Sequence, residues 1–374
     1  MKIQLFNAAK IVLATFVFSS IIMFLMRIVA KHIGAMDNPT DAEGKRHIHK
    51  VATPKLGGLG IFLGFLFGYM LFGEQSVRMN SILIGSFLII LIGIMDDLNP
   101  IKAKYRILVH IVAASVIVFY GGILLDNITA FGYSLNFGIL AYPITIIFLV
   151  ACTDIIDLID GLDGLSGGIC SIFYLTIAII GFFQGRSGSL VMILSLIMLG
   201  STLGFLLHNF HPAKIFAGDC VTFMGFIIGV ITLLEFKGPA LISFFVPITI
   251  LGIPILDTLF AIIRRLLKGQ PPFQADKQHL HHQLLGMNFS QTVTVLIIYG
   301  INILFATAAI FYTLKDPLIG EIIFVILFIL VVWFILHTTI ISDKTPQKTE
   351  ELLNKIKIKK KELWKFFFCI YRIY

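Results

Sequence analysis

Long apolar runs separated by short polar gaps dominate this chain, with little of the alternation that marks a half-buried strand. Eleven runs stand out, near residues 6–30, 57–73, 80–95, 106–124, 137–152, 167–184, 189–208, 218–234, 240–263, 291–313 and 319–341. Each is close to the ~20 apolar residues a helix needs to cross bilayer hydrocarbon, the shorter ones broken by Gly or Pro that neighbouring helices can accommodate. The pattern predicts an all-α, polytopic helical membrane protein of about eleven transmembrane helices. One membrane domain spans 1–341, and a basic tail follows over 342–374. The first run is much longer than the apolar core of a signal peptide and reads as a retained helix. In the tail, Lys355, Lys357, Lys359, Lys360, Lys361 and Lys365 surround Trp364 and Phe366 to Phe368. That composition suits an interfacial helix or a solvated tail.

Composition agrees with the pattern. Hydrophobic residues make up 57% of the 374 positions, charged residues only 13%, and there are 35 Phe. The mean hydropathy is +0.95. This is more apolar surface than a water-soluble core of that length can hide, so the solvent must be lipid. The four cysteines, Cys152, Cys170, Cys220 and Cys369, lie in or beside apolar segments without CxxC spacing. They predict neither a disulfide framework nor a thiolate metal site.

A net charge of +8 in a membrane chain points to anionic lipid and to orientation rather than to nucleic acid. Most of the Lys and Arg fall in alternate loops, at 31–56, 96–105, 209–217 and 264–290 and in the tail. By the positive-inside bias these loops, with 153–166 between them, are cytoplasmic, the amino terminus is outside and the carboxyl terminus inside.

The same loops hold the candidate chemistry. Asp96 and Asp97 close an apolar run, followed by Lys102, Lys104 and Arg106. Adjacent carboxylates persist at a helix end when a cation, a metal or a shared proton offsets their repulsion, and alone they read equally as a solvated pair. In Asp154-Ile-Ile-Asp157-Leu-Ile-Asp160-Gly-Leu-Asp163-Gly four carboxylates recur every three residues. That spacing puts them on one helical face or turn edge, where so much like charge calls for Mg²⁺ or a polar ligand. The stretch Asn209 to Asp219 adds His211, Lys214 and Phe216, a set able to stack on a base, hold a diphosphate and bind a metal. His279, His281 and His282 lack the spacing and the acidic or thiol partner of a zinc site, and suit phosphate instead. His32, His110, His208 and His337 are isolated on apolar runs and read as structural.

Taken in order, five motifs resemble those of the polyprenyl-phosphate N-acetylhexosamine-1-phosphate transferases. They are Asp37 to Pro39 with His49-Lys50 and Pro54 to Gly58; Asp96-Asp97 with Lys104; Ile159 to Leu165; Asn209 with Pro212 to Asp219; and His279-Leu280-His281-His282. Any one is weak, but five in order on one face, over nearly the whole chain, are specific. The His-x-His-His form is similar to the branch that uses UDP-N-acetylglucosamine and undecaprenyl phosphate. The resemblance implies an enzyme of a bacterial inner membrane with its active site on the cytoplasmic side. Lipid phosphate would attack the β-phosphate of a UDP-sugar and release UMP.

It further implies Asp219 as a ligand of Mg²⁺, with Mn²⁺ as a substitute, assisted by Asp96 or Asp97, one of which would instead orient the lipid phosphate. Asp160 would face the ribose or diphosphate, while Lys50, Asn209, Phe216 and Asp163 would hold uridine. Lys104, His279, His281 and His282 would hold phosphate. The expected partners are a UDP-sugar, a polyprenyl phosphate, membrane lipid and a second copy of the chain, with no nucleic acid. Three positions depart from the pattern. Asp154 and Asp157 stand where the family has Asn, Val221 stands where it has Gly, and the stretch from Asp37 to Arg46 is longer. Two rival readings remain, a transporter, which should show polar groups at mid-helix depth, and an inactive scaffold of a glycan assembly complex.

Overall fold

A computed structural model of the chain describes residues 2–37, 52–130, 133–186, 188–235 and 280–337, with isolated positions 252, 255, 256 and 259. The ninth expected span, 240–263, and the tail from 342 lie outside these apart from those isolated positions, as do Lys50 and His279. The described helices are α1 (Lys2–Ile33), α2 (Gly57–Phe72), α3 (Val77–Leu98), α4 (Ala103–Ser115), α5 (Ala141–Ile159), α6 (Leu165–Phe183), α7 (Leu190–Asn209), α8 (Thr222–Glu235), α9 (Leu280–Gly286), α10 (Gln291–Leu314) and α11 (Pro317–His337). A wide turn at Val116–Tyr120 extends α4. Seven described helices are long and apolar enough to cross a membrane, and two shorter ones, over Gly57–Phe72 and Leu318–Phe334, are also apolar. Each expected run among the described residues is met by a helix.

The boundaries correct the sequence reading in one place that matters. The loop expected over 153–166 begins only at Asp160, because α5 continues to Ile159 and carries Asp154 and Asp157 on its last turns. Partners on α4 make this affordable, as described below.

Packing is organised around α8, in which every residue from Thr222 to Leu233 is buried. It lies against α5 and α3, where Gly225 abuts the Cys152 carbonyl and Gly85 abuts the Phe226 ring. Tyr174 of α6 donates to the Met224 carbonyl at 2.9 Å. Elsewhere small residues let backbones touch. A Cβ at Gly204 of α7 would lie 2.7 Å from Ser19 Cβ and 2.8 Å from the Phe16 carbonyl oxygen of α1. In the same contact Ser19 Oγ donates to the Ser201 carbonyl at 2.8 Å. With no hydrophobic drive between helices in lipid, such close approach and interhelical hydrogen bonding hold α1 on α7. By contrast α11 turns Leu318, Ile322, Val325, Ile329 and Trp333 outward, a face suited to acyl chains.

Connections at one end of the bundle build the site. There two two-residue strands, β1 (Met36–Asp37) and β2 (Thr53–Pro54), pair antiparallel with Asp37 opposite Thr53. The chain after β2 then pairs with the loop before α8. Phe216 N donates to the Pro54 carbonyl, Gly57 N to the Phe216 carbonyl and Gly58 N to the Ala217 carbonyl, each at 2.8 Å. At the opposite end β3 (Asn127–Ala130) and β4 (Tyr133–Asn136) form a hairpin between α4 and α5.

Gly204→Leu should therefore pry α1 from α7, costing about 1–3 kcal/mol as for other overpacked contacts. A lower thermal midpoint in detergent is expected, whereas Leu207→Ala on the outward face of the same helix should leave it unchanged.

Candidate active site

The site is a cleft of about 310 Å³ at the end where α3, α5 and α7 stop and α2, α4, α6 and α10 start. Asp97, Asp157, Asp160, Asp163 and Asp219 line it, facing Lys55 and Phe216, with Gln291 of α10 at its edge.

Arg106, one turn into α4, organises these acids. Its Nη1 donates to Asp96 Oδ2 at 2.6 Å and Asp219 Oδ1 at 2.8 Å, and its Nη2 to Asp157 Oδ2 at 2.7 Å. One guanidinium thus ties α3, α5 and the turn before α8, using the planar fork that suits carboxylates. One turn further along α4, His110 Nδ1 lies 2.9 Å from Asp154 Oδ1. The two acids at family Asn positions therefore form antiparallel rungs with a cation and a histidine, and His110 is a partner rather than an isolated apolar-face residue.

The adjacent Asp96 and Asp97 do different things. Asp96 spends Oδ1 on the Ile101 amide and Oδ2 on Arg106. Asp97 Oδ1 accepts from the Asp219 amide at 3.0 Å, while its buried Oδ2 has no hydrogen-bond partner among the described residues. A buried carboxylate oxygen left so is costly and calls for a cation or a proton. Gly218, at φ +68°, makes this approach, since a Cβ there would stand 2.4 Å from Asp97 Oδ2. The positive φ falls on this glycine, and Val221, buried in the 3-10 turn Asp219–Val221, needs no glycine backbone. Asp219 has Asp157 as its strongest repulsive neighbour, with Asp96 further down, and Arg106 and Lys55 opposing.

These carboxylates suit a divalent metal. Among the described residues no three His, Cys, Asp or Glu are grouped so that together they could hold a metal ion. Mg²⁺ needs no such group, because it keeps several waters and takes one or two carboxylates plus substrate phosphates. Asp157 and Asp219 line the cleft, and Asp97 lines it with its orphaned oxygen buried behind the surface.

The rim is held by polar groups that the sequence marked for ligand. Asn209 accepts from the Gly164 amide and donates to the Ile215 carbonyl, both at 2.9 Å, stapling two loops together. Asp163 Oδ2 accepts from the Ala213 amide at 3.1 Å and lies 2.7 Å from His211 Nδ1. Asp160 Oδ1 accepts from Ser166 Oγ at 2.5 Å. Burial, then the charges of Asp157 and Asp163, push the Asp160 carboxyl up to about 7 against that hydrogen bond. His281 packs on Gly161 and tilts against His282, ring centres 4.3 Å apart. Lys104 lies over the Tyr105 ring at 4.9 Å.

Lys55 and Gln291 were not singled out from the sequence, which marked Asp157 only as one of four recurring carboxylates and Arg106 only as a cation following Asp97. Burial lowers the Lys55 ammonium, but Asp37 at 3.3 Å outweighs it, aided by Asp97 and Asp219, and holds the group above its ordinary value. The only sequence signal for Lys55 and Arg106 was their place in basic loops beside the acids.

Residues 79–235 match the family described as glycosyl transferase family 4. A "probable undecaprenyl-phosphate N-acetylglucosaminyl 1-phosphate transferase" of Bacillus subtilis (strain 168) is 38% identical, over 84% of this chain and 86% of its own length. A "decaprenyl-phosphate N-acetylglucosaminephosphotransferase" of Mycobacterium tuberculosis (strain ATCC 25618 / H37Rv) is 30% identical over 78% of this chain and 80% of its own. An "undecaprenyl-phosphate alpha-N-acetylglucosaminyl 1-phosphate transferase" of Salmonella typhimurium is 30% identical over 77% and 79%.

Two outcomes follow from the geometry. Arg106→Met leaves three carboxylates facing one another and should cost about 3 kcal/mol, toward the low end for a broken buried pair because this one is partly solvated. Thermal unfolding in detergent reads it. The second concerns pH. A carboxyl raised from 3.8 to about 7 by folding binds more protons in the folded state, so stability declines as pH rises through that window and stays lost above it. With chelator present, Asp160→Asn should be more stable than the parent at pH 8, and the gap should close toward pH 5.

Proposed function

Because the chain belongs to glycosyl transferase family 4, the polyprenyl-phosphate sugar-phosphate transferases, we propose that it moves N-acetylglucosamine 1-phosphate from UDP-N-acetylglucosamine to undecaprenyl phosphate. The observation that carries this reading is the row of carboxylates gathered at one end of a membrane bundle, with cationic Lys55 and Arg106 among them. A transporter would need its charges at mid-depth.

In the reaction an oxygen of the lipid phosphate forms a bond to the β-phosphorus of the donor. The bond from that phosphorus to the bridging oxygen breaks, and UMP leaves with the electron pair. Such a transfer is governed by positioning and charge compensation. Asp219, with either Asp157 or Asp97, would hold Mg²⁺ or Mn²⁺. When bound, the metal offsets diphosphate charge and polarises the reacting phosphate.

Lys55 supplies a cation across the cleft from these acids. Arg106 keeps Asp157 and Asp219 fixed when the cleft is empty of substrate. Asp96, with both oxygens occupied, acts as an anchor, and the chemical role falls to Asp97. Phe216 and Asp160 form the wall for the nucleoside, and Asp163 and Asn209 shape the loops that carry it. Lys104, His281 and His282 form the phosphate side, a role the resemblance also gives to Lys50 and His279. The reading puts this end of the bundle at the cytoplasmic face of a bacterial inner membrane, in lipid-linked cell-envelope glycan synthesis.

The decisive assay is transfer of labelled sugar phosphate from UDP-N-acetylglucosamine to undecaprenyl phosphate, with and without Mg²⁺. Metal-dependent lipid product and a fall on the order of 100-fold or more in Asp219→Asn are expected. Asp97→Asn should weaken the response to Mg²⁺, whereas Asp96→Asn should lower turnover with the Mg²⁺ requirement unchanged. Product from a different UDP-sugar alone would overturn the donor, and no product from any donor in folded protein would overturn the reaction.

A further inference from the structure

A second charged feature, outside the acidic cleft, lies where α1 meets α7. The two helices run parallel, since Gly200 sits against Val12 and Thr15, and Gly204 against Phe16, Ser19 and Ser20. Continuing that register carries His208, at the end of α7, about one turn short of Arg27 on α1. His208 is hydrogen-bonded to the Ser20 backbone and lies within electrostatic reach of both Arg27 and Lys214, with no carboxylate among its charged neighbours in the described residues. Arg27 Nε is enclosed and has no hydrogen-bond partner among the described residues. An ionised group at membrane depth without a protein counter-charge is expensive and marks a site by default.

The surroundings tell what kind of anion fits. Phe24, Ile28 and Leu207 are 57%, 55% and 62% exposed around the cations, an apolar collar that faces hydrocarbon. Lys31 follows in the last turn of α1. A free anion has no use for the collar, whereas a molecule with a phosphate at one end and acyl chains at the other satisfies both parts. Arg27 supplies planar donors, and exposed Lys214 supplies a point charge from the loop after α7. We propose that Arg27, His208 and Lys214 form a binding site for the phosphate of an anionic phospholipid, resident at the α1–α7 corner on the same end of the bundle as the cleft.

The inference stands independently of the donor and acceptor assigned above. Native mass spectrometry of the purified full chain with phosphatidylglycerol or phosphatidylcholine reads it directly. The parent should hold phosphatidylglycerol selectively. Removing one cation, in Arg27→Gln or Lys214→Gln, should weaken binding about fivefold, and both together multiplicatively, the scale for a basic group at an anionic lipid surface. Arg27→Lys should recover much of the loss. Should Arg27→Gln fail to fold, exposed Lys214 carries the test alone. Equal retention of both lipids, or unchanged affinity in the variants, would overturn the site. Displacement of the lipid by inorganic phosphate at matching concentration would show a free-phosphate site and overturn the lipid assignment.

Discussion

Like charges crowded at the edge of a low-dielectric region repel strongly unless a counter-charge lies among them, and that constraint shapes the acidic end of this molecule. Helix ends, a short strand and a tight turn deliver six carboxylates to one small cleft and a seventh, Asp96, behind it. Arg106 meets the constraint for three of them at once, and Lys55 meets it for Asp37. The backbone geometry follows. Asp219 must sit within reach of Arg106 and offer its amide to Asp97, which fixes the turn at Gly218 and hence the start of the buried α8.

The carboxylates therefore divide by what remains of their hydrogen-bonding capacity. Asp96 and Asp163 are largely committed to the protein, one to α4 and the following loop, the other to the 211–213 segment. Asp157 and Asp219 keep capacity at the cavity, and Asp97 keeps one buried oxygen beside it. A transferase acting on two phosphorylated substrates needs both kinds, a rigid set to hold shape and an available set whose charge is compensated only when the reaction is assembled.

How much of this could be read from the sequence depends on the range of the interaction. Apolar runs are local, so the helices of the described residues were legible. The acids were legible as a set because they cluster in loops of one parity. What failed were the pairings. Asp154 and Asp157 read as loop because a charged last turn is unfavourable for a bare helix, yet α4 supplies His110 and Arg106 from about fifty residues away in sequence. Asn209 has the chemistry of a base-binding amide, but both ends of its side chain are spent on backbone. Lys55 falls inside the Pro54 to Gly58 motif without being marked by it, and gains meaning only when the pairing of β1 with β2 brings it to Asp37.

The antiparallel rungs between α4 and α5 bear on how the chain enters the bilayer. Arg106 with Asp157 and His110 with Asp154 share one register, and the β3–β4 hairpin joins the two helices at the far end. A slip of one turn, about 5.4 Å, would set Arg106 beside Asp154 and strand Asp157. Two helices that dock in this register as a hairpin bring their charges to the edge of the hydrocarbon already paired, rather than singly, as separate insertion of each helix would require. The residues that shape the cleft in the finished protein thus also define α4 and α5 as a unit of membrane assembly.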